Sequence, residues 1–492
     1  MIKQLYIFPL ACLALPLLAT NVTEKRPNLL IIMADQWRAD AIGFRNVEPV
    51  KTPNVDQLAT ESIVFTNAVS NFPVSSPARA QLMSGMFPIN NKVITNCNSD
   101  SAPYGVELPE KAECWSDILK EEGYALGYIG KWHLDAPYEP YVDCSNNKRG
   151  IAWNEWCPPE RRHGFDYWLA YGTYDNHLRP LYWDTNDKRN EFSYVDQWGP
   201  EYEAGKAIDF IKNDENKYRK DDQSFALVVS MNPPHTGYDL VPDKYKKLYA
   251  DLNVDSIAAS KPNVAAITDK MGQNFRRVLK DYYACISGVD ENIGRILEAL
   301  DKEGLRENTI VILTSDHGDC MGMNGQITKN TIYENSMRIP LLIRYPQKVK
   351  ARMETTMMSL MDLYPTMLTL VGLNNRIGKQ VQAIDYSPLI ISGEGSYPKS
   401  QPYFKYVYLD SLGGTRGIRT ERYSYCIDFE QGKSINVLLF DREKDPFQIN
   451  NIAETADQAL IAELNKQLYE WLVKANDPLS NHFCIEPPIT QQ

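Results

Sequence analysis

The feature of this chain that most constrains its fold is a repeated alternation of short apolar runs with longer amphipathic segments. The apolar runs lack the polar alternation of half-exposed strands, so each indicates a parallel strand buried on both faces. They are Asn28–Ala34, Tyr124–Gly130, Phe225–Asn232, Thr309–Ser315 and Pro340–Tyr345. The amphipathic segments are Asn54–Ser62, Trp115–Glu122, Glu201–Asn213, Asn274–Glu303 and Met361–Val371. This alternation predicts an α/β fold in which helices sandwich a large, mostly parallel sheet.

The pattern changes near residue 386, where shorter strand-like pieces replace the long alternation. These pieces are Tyr403–Tyr408, Tyr423–Ile427 and Val437–Phe440, and Gly413–Gly414 predicts a turn between the first two. An amphipathic helix is expected at Thr455–Ala475. We therefore predict a main α/β domain at residues 21–385, followed at 386–492 by an α+β subdomain with a small antiparallel sheet and a packed helix.

Residues 1–20 have the pattern of a signal peptide. Lys3 supplies a positive charge, Leu5–Leu18 is apolar, and the small residues Ala19 and Thr20 follow. An uncleaved anchor is the alternative, but the apolar stretch is short for a membrane span. No later stretch is long and apolar enough to cross a membrane. We therefore expect an exported protein, periplasmic or secreted, whose mature chain has no membrane span.

Charge and cysteine content limit the partners and the covalent structure. The formal net charge of −11 argues against nucleic acid as a partner, because neutralising phosphates requires a basic face. A small anionic substrate is still allowed, since a local group of cations can override the overall charge. The cysteines form neither a CxxC pair nor a zinc pattern. Disulfides joining Cys144 to Cys157 or Cys97 to Cys114 are one expectation, and free buried thiols are the other.

Four of the predicted strands end in polar residues suited to chemistry. The residues are Asp35 and Gln36 after the first strand, Lys131 and His133 after the second, His235 after the third, and Asp316 and His317 after the fourth. Ligands of open α/β sheets bind beyond the carboxyl ends of the strands, so these side chains are expected at one site. Three of the six histidines of the chain fall among them.

Two of these strand ends combine ligands for a metal ion. The carboxylate and amide oxygens of Asp35, Gln36 and Asp316 suit a hard cation such as calcium or magnesium. His317 is less usual for a hard cation and could indicate a transition metal. The structural alternative is that Asp35 and Asp316 cap the helices that follow them. A metal site is favoured because two such pairs are present, Asp35 with Gln36 and Asp316 with His317.

Ser75–Gly85 has the pattern of a helix start with an anion site. Pro77 suits the first turn and Ser76 would cap it. Ser75 would then lie at the positive end of the helix, and Arg79, one turn in, could fold back towards it. A capped helix whose Arg79 faces solvent is the structural alternative.

The segment Ser75–Gly85 resembles the signature of the type I sulfatases: cysteine or serine, any residue, proline, any residue, arginine, then a small-residue ending with glycine. Further segments resemble other motifs of that family in the same order, namely Arg26–Gln36, Thr52–Ala59, Gly130–Leu134, Thr314–Gly318 and Lys329–Pro340. The resemblance extends over most of the mature chain. It implies a sulfatase with the fold of the alkaline phosphatase superfamily.

The resemblance implies that Ser75 is oxidised to formylglycine by an anaerobic sulfatase-maturating enzyme, as in serine-type bacterial members. A hydrated aldehyde carries two hydroxyls on one carbon, so one can attack sulfur and the other can later expel sulfate. It also implies a calcium site formed by Asp35, Gln36, modified Ser75, Asp316 and His317. Arg79 would stabilise the modified residue, Lys131 and Lys329 would bind sulfate oxygens, His133 would accept a proton, and His235, with help from Lys329, would protonate the leaving oxygen.

Two metal positions depart from the commonest pattern of the family. Gln36 stands where aspartate is frequent, and His317 stands where asparagine is frequent. Two carboxylates in place of three make the site less anionic, so a lower calcium affinity is expected.

The long insertion Ala136–Pro200 is rich in aromatic and hydrogen-bonding residues, as a sugar site requires. Within it Asp175, Asn176, His177 and Arg179 are expected to contact a sugar, or else to hold the loop together. A sulfated carbohydrate of host or algal origin is therefore favoured, with galactose or N-acetylgalactosamine 4- or 6-sulfate as a guess within that class. The alternatives are an arylsulfatase, a phosphomonoester or phosphonate hydrolase of the same superfamily, and a non-enzymatic sulfoglycan-binding protein.

Overall fold

The structure is a computed structural model that describes residues 25–148 and 150–483. The predicted signal peptide at 1–20 lies outside the described residues. The strands are β1 Asn28–Ala34, β2 Ile63–Phe65, β3 Ala68–Val69, β4 Ala125–Lys131, β5 Tyr167–Tyr171, β6 Leu181–Asp184, β7 Ser193–Tyr194, β8 Phe225–Met231, β9 Thr309–Thr314, β10 Leu341–Arg344, β11 Arg352–Glu354, β12 Met358–Ser359, β13 Ser400–Val407, β14 Asp410–Thr420, β15 Tyr423–Glu430 and β16 Lys433–Asp441. The α-helices are α1 Pro53–Ala59, α2 Ser75–Ser84, α3 Pro88–Asn91, α4 Trp115–Glu121, α5 Gly199–Lys212, α6 Asp243–Lys246, α7 Val254–Ala259, α8 Lys270–Lys302, α9 Glu334–Met337, α10 Leu363–Leu370, α11 Ser387–Ser392 and α12 Gln458–Lys474.

Ten strands form the main sheet, in the order β11-β2-β10-β9-β1-β8-β4-β5-β6-β7. The five central strands, from β9 to β5, are all parallel. The carboxyl ends of these strands therefore lie at one edge of the sheet. The predicted α/β fold with a mostly parallel sheet is confirmed.

Both faces of the main sheet are covered, which explains why its strands are continuously apolar. Along β1, Leu30 and Ile32 belong to one core, whereas Leu29 and Ile31 belong to the other. The first core includes residues of α5 and α8, and the second includes residues of α2, α4 and α10. Because alternate side chains of a strand point to opposite faces, a strand between two cores has no polar side.

The direction of one strand differs from the sequence-based prediction. The run at Pro340–Tyr345 was expected to be parallel, but β10 pairs antiparallel with β9 and with β2. An apolar run shows that a strand is buried on both faces but carries no information about its direction. The sheet is consequently mixed outside its centre, and the insertion 136–200 supplies three of its strands, β5 to β7.

Strands β13 to β16 form a separate antiparallel sheet, and α12 packs against it. The predicted turn at Gly413–Gly414 is wrong, because both glycines lie inside β14 and the connection from β13 is at 408–409. Gly414 has φ +89°, and a Cβ there would lie 2.1 Å from the carbonyl oxygen of Lys405. Glycine is needed here because β13 and β14 approach closely where their register becomes irregular. The predicted domain boundary near residue 385 stays a prediction.

The described cysteines are all free and buried: Cys97, Cys114, Cys144, Cys157, Cys285, Cys320 and Cys426. The expected pairs Cys144–Cys157 and Cys97–Cys114 are therefore wrong, and these residues behave as small apolar side chains. Among the described residues, none of the helices combines the length and the apolar character that crossing a membrane requires.

Candidate active site

Polar residues from four parallel strands meet at the carboxyl edge of the main sheet. Asp35 follows β1, Lys131 ends β4, Asn232 follows β8 and Asp316 follows β9. Their side chains are linked directly, since Lys131 Nζ lies 2.8 Å from Asp35 Oδ2 and 3.1 Å from Asn232 Oδ1. The strand-end side chains therefore form one buried cluster.

Ser75 lies at the start of α2, with its hydroxyl inside this cluster. Its Oγ is 3.2 Å from Asp35 Oδ2 and 3.1 Å from His317 Nε2. The predicted cap differs: the helix begins at Ser75, and Val74 is the N-cap. Ser76 Oγ instead donates to the carbonyl of His133 at 2.7 Å. Ser75 therefore occupies the first helical position, where free backbone N–H groups favour negative charge.

Arg79 does not face solvent but is held by buried acceptors from four strands or their ends. Its Nε donates to Asp316 Oδ2 at 3.0 Å, and its Nη2 donates to Asp35 Oδ2 at 3.0 Å. Its Nη1 donates to the carbonyl of Lys131 and to Ser230 Oγ, each at 2.7 Å. Arg79 thus joins α2 to both carboxylates beside Ser75.

The two carboxylates differ in charge. Burial raises the pKa of Asp35, but the positive charges around it, that of Lys131 first and also that of Arg79, outweigh burial and hold that pKa well below the ordinary value. Burial and the charge of Asp35 raise the pKa of Asp316 to about 7. Two adjacent buried carboxylates repel each other, and a cation bound between them would relieve this repulsion.

The donor set fits a divalent cation. Ligand atoms of Asp35, Asp316 and His317 all lie within 4.8 Å of one another. Asp35 Oδ1 accepts no hydrogen bond from the described residues and lies 3.5 Å from His317 Nε2. His317 Nδ1 donates to the carbonyl of Gly318 at 2.9 Å, which leaves the Nε2 lone pair directed into the cluster.

Gln36 lies beside this group with its amide already engaged. Its Oε1 accepts from Lys329 Nζ at 2.6 Å, and its Nε2 donates to Asp319 Oδ2 at 2.9 Å and to the hydroxyl of Tyr238 at 3.0 Å. Only Oε1 can turn to a cation, and it would do so by sharing or releasing Lys329. Neither Asp319 nor Tyr238 was selected from the sequence, although Asp319 is three residues from Asp316.

A cavity of about 390 Å³ opens above Ser75. Lys131, Lys329, His133 and His235 line it together with Ser75. His235 bridges two of the groups here, because Lys329 Nζ donates to its Nε2 at 2.9 Å and its Nδ1 donates to a carboxylate. Burial and the charges of Lys329 and Lys131 lower the pKa of His235 to about 4, so its ring is neutral at pH 7.

His133 also presents a neutral ring to the cavity. Burial and the charges of Lys131 and Arg79 hold its pKa well below the ordinary value. Its Nε2 donates to the carbonyl of Cys97 at 3.1 Å, whereas the buried Nδ1 has no partner among the described residues. A neutral imidazole with a free nitrogen lone pair can accept a proton.

The four residues expected to contact a sugar are separated in the structure. Asp175 lines the cavity and accepts from His235 Nδ1 at 3.1 Å. His177 is buried, and its Nε2 faces the carbonyls of His235 and Thr236. Asn176 accepts from the backbone of Arg179, and Arg179 pairs with Asp196 at the surface. Of the four, only Asp175 lines the cavity; the other three hold the loop.

Other side chains of the cavity were not selected from the sequence. They are Asn96, Asn146, Trp153, Thr173, Thr236 and Thr328. The Trp153 ring lies 6.3 Å from that of His133, measured between centroids. The aromatic content of the insertion indicated a binding surface. Asparagine, threonine and tryptophan occur in many loops, however, so the sequence does not show which of them line the cavity.

Comparison with known families decides the identity of this site. The Sulfatase family model matches residues 27–373, and the model described as N-sulphoglucosamine sulphohydrolase, C-terminal, matches residues 322–474. The chain belongs to the sulfatase family. It is accordingly a sulfuric ester hydrolase, and its mixed sheet with helices and a small antiparallel sheet is the fold of the alkaline phosphatase superfamily.

Three similar sulfatases extend over nearly the same length. The endo-4-O-sulfatase of Bacteroides thetaiotaomicron is 36% identical, with 92% of this chain and 93% of that protein covered. The ulvan-active sulfatase of Formosa agariphila is 34% identical, with 90% and 81% covered. A crystal structure from Bacteroides fragilis, described as a candidate sulfatase, yidJ, is 53% identical with a TM-score of 0.90, with 94% and 98% covered.

Proposed function

We propose that this sulfatase removes sulfate from a sulfated carbohydrate, with Ser75 converted to formylglycine. The observation that carries the proposal is the position of Ser75 Oγ, 3.2 Å from Asp35 and 3.1 Å from His317, beneath a cavity lined by two lysines and two histidines. The modification supplies two hydroxyls on one carbon, one for attack on sulfur and one for release of sulfate. The start of α2 favours the negative charge that both steps develop.

Calcium is the cation we propose for Asp35, Gln36, modified Ser75, Asp316 and His317. The orphaned Asp35 Oδ1 and the raised pKa of Asp316 support this assignment. A divalent cation there would polarise the sulfate and the nucleophilic oxygen. Gln36 would take part through Oε1, and His317 through Nε2.

The basic side chains around the cavity have separate tasks in this proposal. Lys131 and Lys329 bind sulfate oxygens, whose charge grows during the reaction. His133 accepts the proton lost when sulfate is released. Lys329 donates to His235 Nε2, so the two together can protonate the leaving oxygen of the sugar. Asp175 orients His235 by accepting from Nδ1.

A sugar fits the composition of the cavity. The indole of Trp153 offers an apolar face, and Asn96, Asn146 and Thr173 offer fixed hydrogen-bonding groups beside it. The relatives named for endo-4-O-sulfatase and ulvan-active activity support a polymeric sulfated glycan. Within that class we keep galactose or N-acetylgalactosamine 4- or 6-sulfate as the first substrates to test.

We also propose that the protein is exported and that an anaerobic sulfatase-maturating enzyme modifies it. The apolar segment at residues 5–18 and the serine in the signature support these two steps.

Mass spectrometry of the peptide that contains Ser75 tests the proposal directly. In protein matured anaerobically, we expect the peptide to have lost two hydrogen atoms at Ser75. Sulfate release should fall at least about 10³-fold in Ser75→Ala, because the nucleophile is absent. An active enzyme with an intact serine would contradict the formylglycine mechanism. Faster hydrolysis of phosphate than of sulfate esters would favour the phosphomonoester or phosphonate alternative.

A further inference from the structure

The side chain of Gln36 lies between segments that follow three neighbouring strands. Gln36 follows β1, Asp319 lies beyond β9 and Tyr238 lies beyond β8, and β9 and β8 flank β1 in the sheet. Gln36 and Asp319 are both 0% exposed. A buried amide has to satisfy its hydrogen bonds with protein groups, so those groups decide which way it points.

The backbone of Gln36 is held on both sides. Its N–H donates to Asp316 Oδ1 at 3.1 Å, and its carbonyl accepts from the hydroxyl of Tyr282 at 2.9 Å. Its φ is +68°, a left-handed conformation that a residue other than glycine keeps only where the surroundings hold it. The question that remains is which atom of the amide, the oxygen or the nitrogen, faces the cation site.

Both N–H donors of the amide have acceptors. Nε2 donates to Asp319 Oδ2 at 2.9 Å and to the hydroxyl of Tyr238 at 3.0 Å. That hydroxyl donates in turn to Asp319 Oδ2 at 2.6 Å, so it presents a lone pair to Gln36. On the other side, Oε1 accepts from Lys329 Nζ and keeps a second lone pair. The unused valence of this side chain is therefore an acceptor, as a cation ligand requires.

The opposite orientation of the amide is unfavourable at both ends. Its oxygen would then face a carboxylate oxygen of Asp319, and its NH2 group would face the ammonium of Lys329, which has no lone pair. Asp319 offers no alternative donor, because Oδ1 accepts from the backbone N–H of Met321 at 3.1 Å. Nor does Asp319 belong to the group of mutually close ligand atoms, which comes from Asp35, Asp316 and His317.

We propose that Asp319 is a positioning residue of the cation site: together with Tyr238 it holds the NH2 group of Gln36, so that Oε1 faces the cation. This inference rests on the cation site of the proposed function. It also accounts for glutamine at position 36. A glutamate there would place a carboxylate oxygen where Nε2 now lies, 2.9 Å from Asp319 Oδ2, and like charges repel strongly at such a distance.

Calcium titration by calorimetry, on protein stripped of cations with EDTA, tests the pairing of residues 36 and 319. Gln36→Glu should bind calcium at least about tenfold more weakly than the wild type, although an added negative charge ordinarily strengthens calcium binding. Asp319→Asn alone should also weaken binding, because an asparagine can donate to Oε1 and let the amide turn.

The double variant Gln36→Glu/Asp319→Asn exchanges the amide and the carboxylate and keeps the number of donors and acceptors. Its calcium affinity should return to within about threefold of the wild type, or exceed it. The matched control combines Gln36→Glu with Asp290→Asn. Asp290 is a buried carboxylate that accepts from Asn54 and Val55 instead, so its loss should rescue nothing.

The possible outcomes separate this inference from the proposed function. A wild type that binds calcium but releases no sulfate from any sulfated glycan would contradict the proposed function, while the affinities still decide the role of Asp319. A wild type that binds neither calcium, magnesium nor manganese would overturn both. Calcium affinity of Gln36→Glu equal to or above that of the wild type, or a double variant as weak as Gln36→Glu, would overturn the inference alone.

Thermal melts without calcium cover the case in which Gln36→Glu does not fold. A double variant that folds and binds calcium like the wild type would then support the pairing, because the second substitution repairs the first. A double variant that also fails to fold would overturn it.

Discussion

At the scale of single residues, Asp175 shows how position changes the role that a motif predicts. It was selected as a sugar contact, and it does line the cavity. Its carboxylate also accepts from His235 Nδ1, and the side chain of Asn232 donates to it at 3.3 Å. Asp175 therefore sets which nitrogen of His235 carries the proton and leaves Nε2 for Lys329. A single carboxylate thus both lines the cavity and orients the proposed acid.

Most residues of the buried cluster could be predicted because each belongs to a local motif, at a strand end or, for Ser75, at the start of a helix. Ser75, Lys131 and His317 stand in short segments whose order is specific. Asn96 and Trp153 could not be predicted, because asparagine and tryptophan occur in many loops and only the fold brings these two to the cavity. Local sequence motifs therefore predict the reactive groups of this site better than they predict the residues that shape its cavity.

Glu203, on α5, is a buried acid outside the active site and makes stability depend on pH. Its Oε1 accepts from the hydroxyl of Tyr182 at 2.9 Å, while Oε2 has no partner among the described residues. Burial raises its pKa to about 8 despite the tyrosine hydrogen bonds. The folded state therefore keeps a proton that the unfolded state loses above its ordinary pKa, about 4.3.

We expect the wild type to lose stability between about pH 4.5 and 8, on the order of 1 kcal/mol per pH unit, with no further loss from this group above pH 8. Glu203→Gln should remove this slope, so the variant should melt above the wild type at pH 8 and close to it at pH 5. Thermal melts across this range measure the effect. Glu110→Gln, at an exposed position, should keep the wild-type slope. Parallel curves for the wild type and Glu203→Gln would contradict the argument.

At the scale of elements, the central strands were predictable almost to the residue. The run at Asn28–Ala34 is β1, and Phe225–Asn232 differs from β8 by one residue. A strand between two cores needs apolar residues at every position, so its sequence marks its bounds. β14 was missed because its start is polar and contains two glycines, and such a segment is typical of a turn.

The correction at β14 predicts an unusual sensitivity at Gly414. A Cβ there meets the carbonyl oxygen of Lys405 at 2.1 Å, and the positive φ adds backbone strain. Gly414→Ala should destabilise the protein by about 3 kcal/mol, combining the strain with the displaced strand. Gly432→Ala is the matched control, because Gly432 also has a positive φ, but its nearest neighbour is at 3.4 Å. It should cost only about 1 kcal/mol, from strain alone.

Urea unfolding of both glycine variants measures these differences. Equal losses would mean that strain alone matters and that the two strands separate without cost at Gly414. A larger loss for Gly414→Ala would support the close approach of β13 and β14.

At the scale of the whole molecule, the C-terminal sheet completes a core begun elsewhere. Phe72, Val74, Phe87 and Met361 belong to the same apolar cluster as residues of β13 to β16 and α12. All four are buried in the intact chain. Burial of such side chains contributes about 1.5–3 kcal/mol each, so a chain that ends at residue 385 would expose a costly apolar face.

We therefore expect fragment 21–385 to aggregate when it is expressed alone. Co-expression with fragment 386–492 should restore a soluble complex, because the second fragment covers the same face. Size-exclusion chromatography of both preparations is the measurement. A monomeric 21–385 fragment that melts cooperatively on its own would show that the two parts are independent.

The burial of α2 limits when the side chain of Ser75 is accessible during folding. All ten residues of the helix are buried, and Ser75 is 1% exposed. A second enzyme cannot draw this side chain into its own active site once the main sheet has closed around it. If Ser75 is modified as we propose, the modification has to compete with folding in time, and a chain that folds too quickly would be trapped as a stable protein with an unmodified serine.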